Sequence, residues 1–221
     1  VVLLQSAIRT GGIVLCGGKS SRMGVAKATL PFGPELMLQR VVRLLAQAMS
    51  PIVVVAAPGQ ELPPLPVGVM LTNDEREGRG PLEGLLAGLT AIVPHADAAY
   101  VTSCDVPLLV PAFVLYMIER LGNCDIAVPV EGEFSHPLAG AYRTSVLPHI
   151  RELLATDQLR PTCLFDRVKT CRVPVEELRA VDPLLATLQN LNRPEDYLAA
   201  LAAAGLQPDP ATLAALGMPR T

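Results

Sequence analysis

From Leu15 to Lys27 the chain reads Leu15-Cys16-Gly17-Gly18-Lys19-Ser20-Ser21-Arg22-Met23-Gly24-Val25-Ala26-Lys27, a glycine-rich loop that follows an apolar run and carries three cations. No acidic residue precedes Glu35, so this positive charge has no compensating neighbour in sequence. The whole chain has a formal net charge of -3 and only three lysines, of which Lys19 and Lys27 lie here. Gly17 and Gly18 lack Cβ, so backbone N–H groups can close on a ligand. Ser20 and Ser21 add hydroxyl donors, Arg22 a planar fork that grips phosphate oxygens, and Lys27 a compact point charge. Together these residue types describe a triphosphate cradle. It is not a Walker A loop, because Ile13 stands where that motif needs its first glycine, and the dinucleotide pattern G-x-G-x-x-G is missing from the loop. The plainer alternative is a turn after a strand, with solvated basic residues.

Other residues could complete such a site. Asp105, in Cys104-Asp105-Val106-Pro107, ends an apolar run, and in an open parallel sheet ligands bind at the carboxyl ends of strands. A carboxylate there can hold Mg²⁺, which takes one or two protein carboxylates and fills its shell with water and phosphate oxygens. Equally, it could simply cap a turn. Asp74 lies in a charged loop ahead of Gly80-Pro81-Leu82, where Pro81 suits the first position of a helix. Gly84 and Gly88 share one face of that helix and would let a backbone or a ligand come close. His136, in Ser135-His136-Pro137-Leu138, is a loop histidine, a type found more often on surfaces than in catalysis. Asn192, just ahead of Pro194, is placed to cap a final helix.

These positions need a scaffold, and the hydropathy pattern supplies one. Apolar runs at 12–16, 51–57, 67–72, 98–104 and 125–130 are short, rich in valine and isoleucine, and read as buried parallel strands. Between most of them the period changes to that of a helix. Over 36–49, Leu38, Val41, Val42, Leu45 and Met49 form one stripe; over 82–89, Leu82, Leu85, Leu86 and Leu89 form another. Residues 58–66, with four prolines, form a surface connection. The pattern predicts an α/β fold, one domain over residues 1–221 with 1–10 and 206–221 peripheral and a short helical turn at 211–216. With 50% hydrophobic residues it can bury a substantial core. No apolar run approaches the ~18 residues of a membrane span, and the first eight residues lack the pattern of a secretory signal, so no membrane partner and a cytoplasmic location are expected. Five cysteines without a C-x-x-C pair read as buried thiols. The mild acidity and the 4% aromatic content carry no nucleic-acid footprint.

Leu15-Cys16-Gly17-Gly18, Ser20, Arg22-Met23-Gly24 and Lys27, then Asp74, Gly80-Pro81-Leu82, Cys104-Asp105-Val106-Pro107-Leu108-Leu109, His136-Pro137-Leu138 and Asn190-Leu191-Asn192-Arg193-Pro194, resemble in order the motifs of the molybdenum cofactor guanylyltransferase family over roughly residues 11–200. The loop departs from the family pattern in Cys16, where alanine is usual, and Ala26, where an aspartate that could orient Lys27 is usual. The resemblance implies a three-layer, Rossmann-like nucleotidyltransferase fold with a mainly parallel sheet and helices on both faces. It implies transfer of GMP from GTP to the phosphate of a pterin acceptor, molybdopterin, with release of pyrophosphate. Arg22, Lys27 and Asp105 would be catalytic. Leu15, Cys16, Gly17, Gly18, Ser20, Lys27, Asp74, Gly80, Pro81 and Asp105 would bind the nucleotide, and Asp105 would ligate Mg²⁺. His136 and Asn192 would face the acceptor. GTP and the phosphorylated pterin are the implied partners, with room for proteins that deliver or accept the cofactor. A cytidylyltransferase using the same acceptor, a sugar-phosphate nucleotidyltransferase and a nucleotide-binding accessory protein without catalysis stay open as alternatives.

Overall fold

The computed structural model describes residues 8–17, 25–74 and 79–217. Ten strands form in chain order: β1 (Thr10–Leu15), β2 (Pro31–Phe32), β3 (Glu35–Leu36), β4 (Ile52–Ala56), β5 (Met70–Asn73), β6 (Ala98–Ser103), β7 (Ile126–Glu131), β8 (Phe134–Ser135), β9 (Gly140–Arg143) and β10 (Thr170–Pro174). The helices are α1 (Met37–Leu45), α2 (Pro81–Ile92), α3 (Pro111–Leu121), α4 (Leu147–Ala155), α5 (Val175–Leu178), α6 (Pro194–Ala203) and α7 (Pro210–Ala215). Eight strands make the central sheet in the order β10-β7-β9-β6-β1-β4-β5, with β8 added beside β7. β1 runs parallel to β4 and β6, β4 to β5, and β10 to β7, whereas β9 runs antiparallel to both β6 and β7. β2 and β3 form a separate two-stranded ribbon.

Alternation along the strands divides the interior. Val14, Val54 and Tyr100 face a layer that includes Leu38, Val41 and Leu45 of α1 and Phe113, Val114 and Met117 of α3. Ile13, Leu15, Val53, Val55 and Val101 face the opposite layer, with Leu82, Leu85 and Leu89 of α2 and Ile150 and Leu153 of α4. Strands buried on both faces must be apolar at successive positions, which is why they read as runs and not as alternations. A third cluster joins Leu30, Phe32 and Met37 to Leu191, Tyr197, Leu201 and Leu216, and it carries the C-terminal segment back to the sheet.

Several elements differ from the sequence pattern. The α-helix of 36–49 stops at Leu45, because Gln47 N and Ala48 N bond back only three residues and tighten the chain ahead of Pro51. Met49 is nonetheless buried, so the stripe extends as the spacing requires. The run at 67–72 is not a buried strand: β5 lies at the sheet edge and Leu71 is 58% exposed. The runs at 98–104 and 125–130 are not neighbours, because β9 inserts between β6 and β7. Residues 206–217 are less peripheral than their prolines suggest: Leu213 and Leu216 of the α7 segment are buried. Only Cys16 and Cys104 of the five free cysteines are buried; Cys124, Cys163 and Cys171 are partly exposed. Among the described residues no helix is long and apolar enough to cross a membrane.

Candidate active site

β1, β5 and β6 all end on one rim of the sheet, where each hands its chain to a residue with chemical capacity. β6 ends at Ser103, and Cys104 and Asp105 follow it. Lys27 begins a 3₁₀ turn (Lys27–Thr29) whose next residue, Ala28, is buried under the rim. The Lys27 Nζ donates to Asp105 Oδ2 at 2.7 Å and to Asn192 Oδ1 at 3.2 Å, joining positions 78 and 165 residues apart. Both members of the ion pair are largely shielded, with side chains 16% and 12% exposed. Asp105 thus orients Lys27, and Ala26, where the family pattern carries aspartate, is exposed.

Asp105 is held from its other side as well. Its Oδ1 accepts from the Ser103 hydroxyl and from Asn190 Nδ2 at 3.0 Å, while Asn190 Nδ2 also reaches Ser103 Oγ at 3.1 Å. Leu191 N donates to the Asp105 carbonyl at 3.0 Å. The Asn190–Asn192 stretch thus lies alongside Asp105, with buried Leu191 anchoring it in the third cluster. Asn190 is a residue that sequence reasoning missed. Its signal was available: in extended chain, residues two apart share a face, so an Asn-x-Asn pattern with an apolar centre presents both amides to one side. Asn190→Ala should remove both contacts and lower Tm by about 2–4 °C, which a thermal melt would read. A melt unaltered by this change would show that neither contact steadies Asp105.

Asn192 does not cap α6 with its side chain, as its position suggested. Asp196 does this work, its Oδ2 accepting from the backbone N–H of both Asn192 and Arg193 at 2.9 Å. That leaves the Asn192 amide for Lys27.

A second group lies where β1 and β5 end. Gly17 follows Cys16 off β1, and Asp74 follows Asn73 off β5. A Cβ on Gly17 would stand 2.9 Å from Asp74 Oδ2, and one on Gly84 of α2 would stand 3.2 Å from Oδ1, so the carboxylate occupies a slot that two glycines keep open. Gly88, one turn on, serves packing instead: its Cβ would meet Ile13 Cγ2 at 2.6 Å. Gly80, with φ of 77°, makes the left-handed turn that brings Pro81 to the start of α2. Asp74 Oδ1 is buried without a hydrogen-bond partner among the described residues. Burial first, and then the nearby Glu83 charge, push its carboxyl up to about 6. Glu83 itself is buried in the first turn of α2, 3.9 Å from Arg79 Nε. The first strand end is pinned by Gln60, another residue the sequence did not mark, whose Nε2 donates to the Cys16 carbonyl at 3.2 Å. The Cys16 thiol is pushed far up by the adjacent Cys104 thiol and by burial, so it stays neutral.

A cavity of about 520 Å³ opens next to Asn192, lined by His136, Asn190, Asn192 and Asp196 among others. His136 lies at the start of the short Pro137–Ala139 turn that leads into β9, and antiparallel β9 thereby brings it to the same rim. Its Nε2 is buried and unpartnered, and burial lowers its pKa against the opposing effect of Glu131. The described positions Leu15, Cys16, Gly17, Lys27, Asp74, Gly80, Pro81, Asp105, His136 and Asn192 all lie along this rim or at the start of α2. Gly18, Ser20 and Arg22 lie outside the described residues. Among the described residues no three His, Cys, Asp or Glu side chains gather as a metal cluster.

Known proteins share both sequence and architecture with this chain. A protein of Pelotomaculum thermopropionicum named probable molybdenum cofactor guanylyltransferase is 31% identical over 193 residues, covering 87% of this chain and 92% of that protein. One of the same name from Mycobacterium avium is 37% identical over 181 residues, covering 80% and 90%. The crystal structure of molybdopterin-guanine dinucleotide biosynthesis protein A from Archaeoglobus fulgidus superposes with a TM-score of 0.73 at 20% identity, covering 90% of this chain and 99% of that one, which establishes a shared fold. The family model described as the MobA-like NTP transferase domain matches residues 12–170. With that span including the glycine loop, Asp74, Asp105 and His136, the chain belongs to the MobA-like NTP transferase family.

Proposed function

We propose that this chain transfers GMP from GTP to the phosphate of molybdopterin, or its molybdenum-loaded form, and releases pyrophosphate. The observation that carries the reading is the meeting of Lys27, Asp105 and Asn192 on the rim beside a cavity large enough for a second substrate. Relatives named probable molybdenum cofactor guanylyltransferase support the choice of base and acceptor.

In this reading an oxygen of the acceptor phosphate attacks the α-phosphorus of GTP. A new P–O bond forms there, the bond to the bridging oxygen of the β-phosphate breaks, and pyrophosphate leaves with that oxygen and its electron pair. The attacking group is already a phosphate anion, so no strong general base is required. Lys27 exchanges its contact with Asp105 for phosphate oxygens and stabilises their developing charge. Gly17 and Gly18 offer backbone N–H groups, and Ser20 and Arg22 supply donors to the triphosphate. Asp74, in its glycine-walled slot, accepts hydrogen bonds from the nucleoside, with Leu15, Cys16, Gly80 and Pro81 forming the walls around it. His136 and Asn192 hold the acceptor.

The residues present suit Mg²⁺. Asp105 offers hard carboxylate oxygens at a point where Lys27 already marks a place for phosphate, and a single protein ligand is enough when phosphates and water complete the shell. When bound, Mg²⁺ supplies charge neutralisation on the phosphate oxygens.

The test is pyrophosphate release from GTP, CTP, ATP and UTP with molybdopterin and Mg²⁺. Release with GTP at least about tenfold faster than with CTP is expected, since hydrogen-bonding sites discriminate strongly. Preference for CTP would make the chain a cytidylyltransferase. Nucleotide binding without release would make it an accessory protein.

A further inference from the structure

The cavity beside Asn192 has one wall whose composition is unusual for this chain. Of its four phenylalanines, Phe32, Phe113 and Phe165 are buried in the core, whereas Phe134 is 64% exposed. An aromatic ring is the type of side chain that folding most readily buries. Phe134 lies on β8, paired in register with Glu131 of β7, and lines the cavity together with His136, Asn190, Asn192 and Asp196. The His136 ring meets Phe134 edge to face, with centroids 4.9 Å apart and planes at 85°. This contact orients the phenyl ring and leaves most of its surface open. The same cavity is lined by the amide-bearing residues Gln189, Asn190 and Asn192, so it combines an apolar face with polar side chains. Such a combination suits a flat heteroaromatic ring, which offers a π face for stacking and a polar edge for hydrogen bonding.

We propose that Phe134 is the stacking platform for the acceptor's fused pterin ring system and that it selects a fused-ring phosphate as acceptor. The assignment rests on the guanylyl-transfer reading and adds to it the residue that sets acceptor specificity. Its geometry connects to the chemistry through Asn192, which lines the cavity and accepts from Lys27 Nζ at 3.2 Å. A ring lying against Phe134 would thus extend its phosphate towards Lys27 and Asp105. Phe134 does not reach the reacting atoms in this arrangement; it is a specificity-determining residue.

The chain contains no tryptophan, so Phe134→Trp introduces a single indole fluorophore at the cavity wall. Titrating that variant with pterin-6-carboxylate is expected to quench the indole saturably, while glucose 1-phosphate and GTP leave it unaltered. In the transfer assay, Phe134→Ala should raise KM for molybdopterin by about tenfold with the KM for GTP essentially constant, and Phe134→Tyr should restore it. A merely structural phenylalanine would give no such split and no rescue, provided circular dichroism shows the variants folded. Quenching by GTP or glucose 1-phosphate in place of the pterin would overturn the proposal, as would an unaltered acceptor KM in the alanine variant. Failure of the underlying reading looks different: the wild type would release no pyrophosphate from GTP, whatever residue occupies position 134, and pterin quenching of the tryptophan variant would still report on the cavity.

Discussion

Lys27→Met is expected to slow pyrophosphate release by about 10²–10³-fold, the usual range for removing one preorganised group that meets charge developing in a transition state. Methionine keeps the unbranched apolar stem and removes only the ammonium. That ammonium is held by the protein's own groups, at 2.7 Å from Asp105 Oδ2 and 3.2 Å from Asn192 Oδ1, so its position is set by the fold. Asp105→Ala makes a different prediction. If Asp105 ligates Mg²⁺ as proposed, the change should weaken the Mg²⁺ dependence of GTP binding, measured as affinity across a magnesium titration, because a hard oxygen ligand is removed. Both single changes also break a shielded ion pair, which costs folding stability. Lys27→Met with Asp105→Ala in one chain should therefore be more stable than the sum of the single effects implies, while remaining inactive. Thermal melts of the four proteins would measure that coupling. Turnover of Lys27→Met within about threefold of wild type would remove the lysine from the reaction, since no electrostatic role of this size could survive it.

The second large effect separates stability from binding at Asp74. Its carboxyl stands at about 6 instead of the ordinary 3.8, because burial and the Glu83 charge disfavour the ionised form. A folded-state pKa above the unfolded value means that the native protein binds the extra proton between about pH 4 and pH 6. Stability contributed by this group is therefore present at low pH and is lost as pH rises through that window. Above pH 6 the ionised, unpartnered Asp74 is a liability, discounted by its half-exposed setting to about 1 kcal/mol. Asp74→Asn should accordingly raise Tm by about 2–4 °C at pH 7.5 and have almost no effect at pH 4.5. The same substitution should weaken GTP binding by about 10–100-fold at pH 7.5, the range for losing a charged hydrogen-bond acceptor. Wild-type affinity should fall as pH drops below 6 and the carboxylate takes its proton. A stabilisation of equal size at both pH values would show that Asp74 carries no unpaired charge in the native state.

The proposed binding role of Asp74, set against its stability cost, gives a reason for the glycines around it. Gly17 and Gly84 give Asp74 a slot that any Cβ would crowd, and the carboxylate there has no partner for Oδ1 among the described residues. A group left unsatisfied at such a place is consistent with a ligand that completes its hydrogen bonds. The contrast with Gly88 is instructive. It shares the helix face with Gly84 yet only lets α2 press against Ile13 and Val55, so the two glycines follow from different needs although they look alike in sequence.

The amino-acid sequence by itself determined the local parts. Continuous valine and isoleucine runs can be accommodated only where both faces of a strand are covered, and the stripes of Leu38, Val41, Val42 and Leu45 and of Leu82, Leu85 and Leu89 commit α1 and α2 to the two faces. The glycine loop, Asp105 at a strand end and the Asn-x-Asn stretch were legible because residue type and local period are properties of neighbours in the chain. Tertiary structure decided what these parts meet. That Asp105 orients Lys27 across 78 positions, that Asn190 steadies Asp105 and Asn192 receives Lys27, and that Asp74 is left buried beside Glu83 depend on which strand ends share a rim. The insertion of β9 between β6 and β7, which brings His136 to that rim, has no signature in the periodicity of any one segment. Strand order and side-chain partnership arise from long-range pairing, whose free energy depends on the packing of the whole sheet, whereas helix stripes and strand runs are written at a spacing of two to four residues.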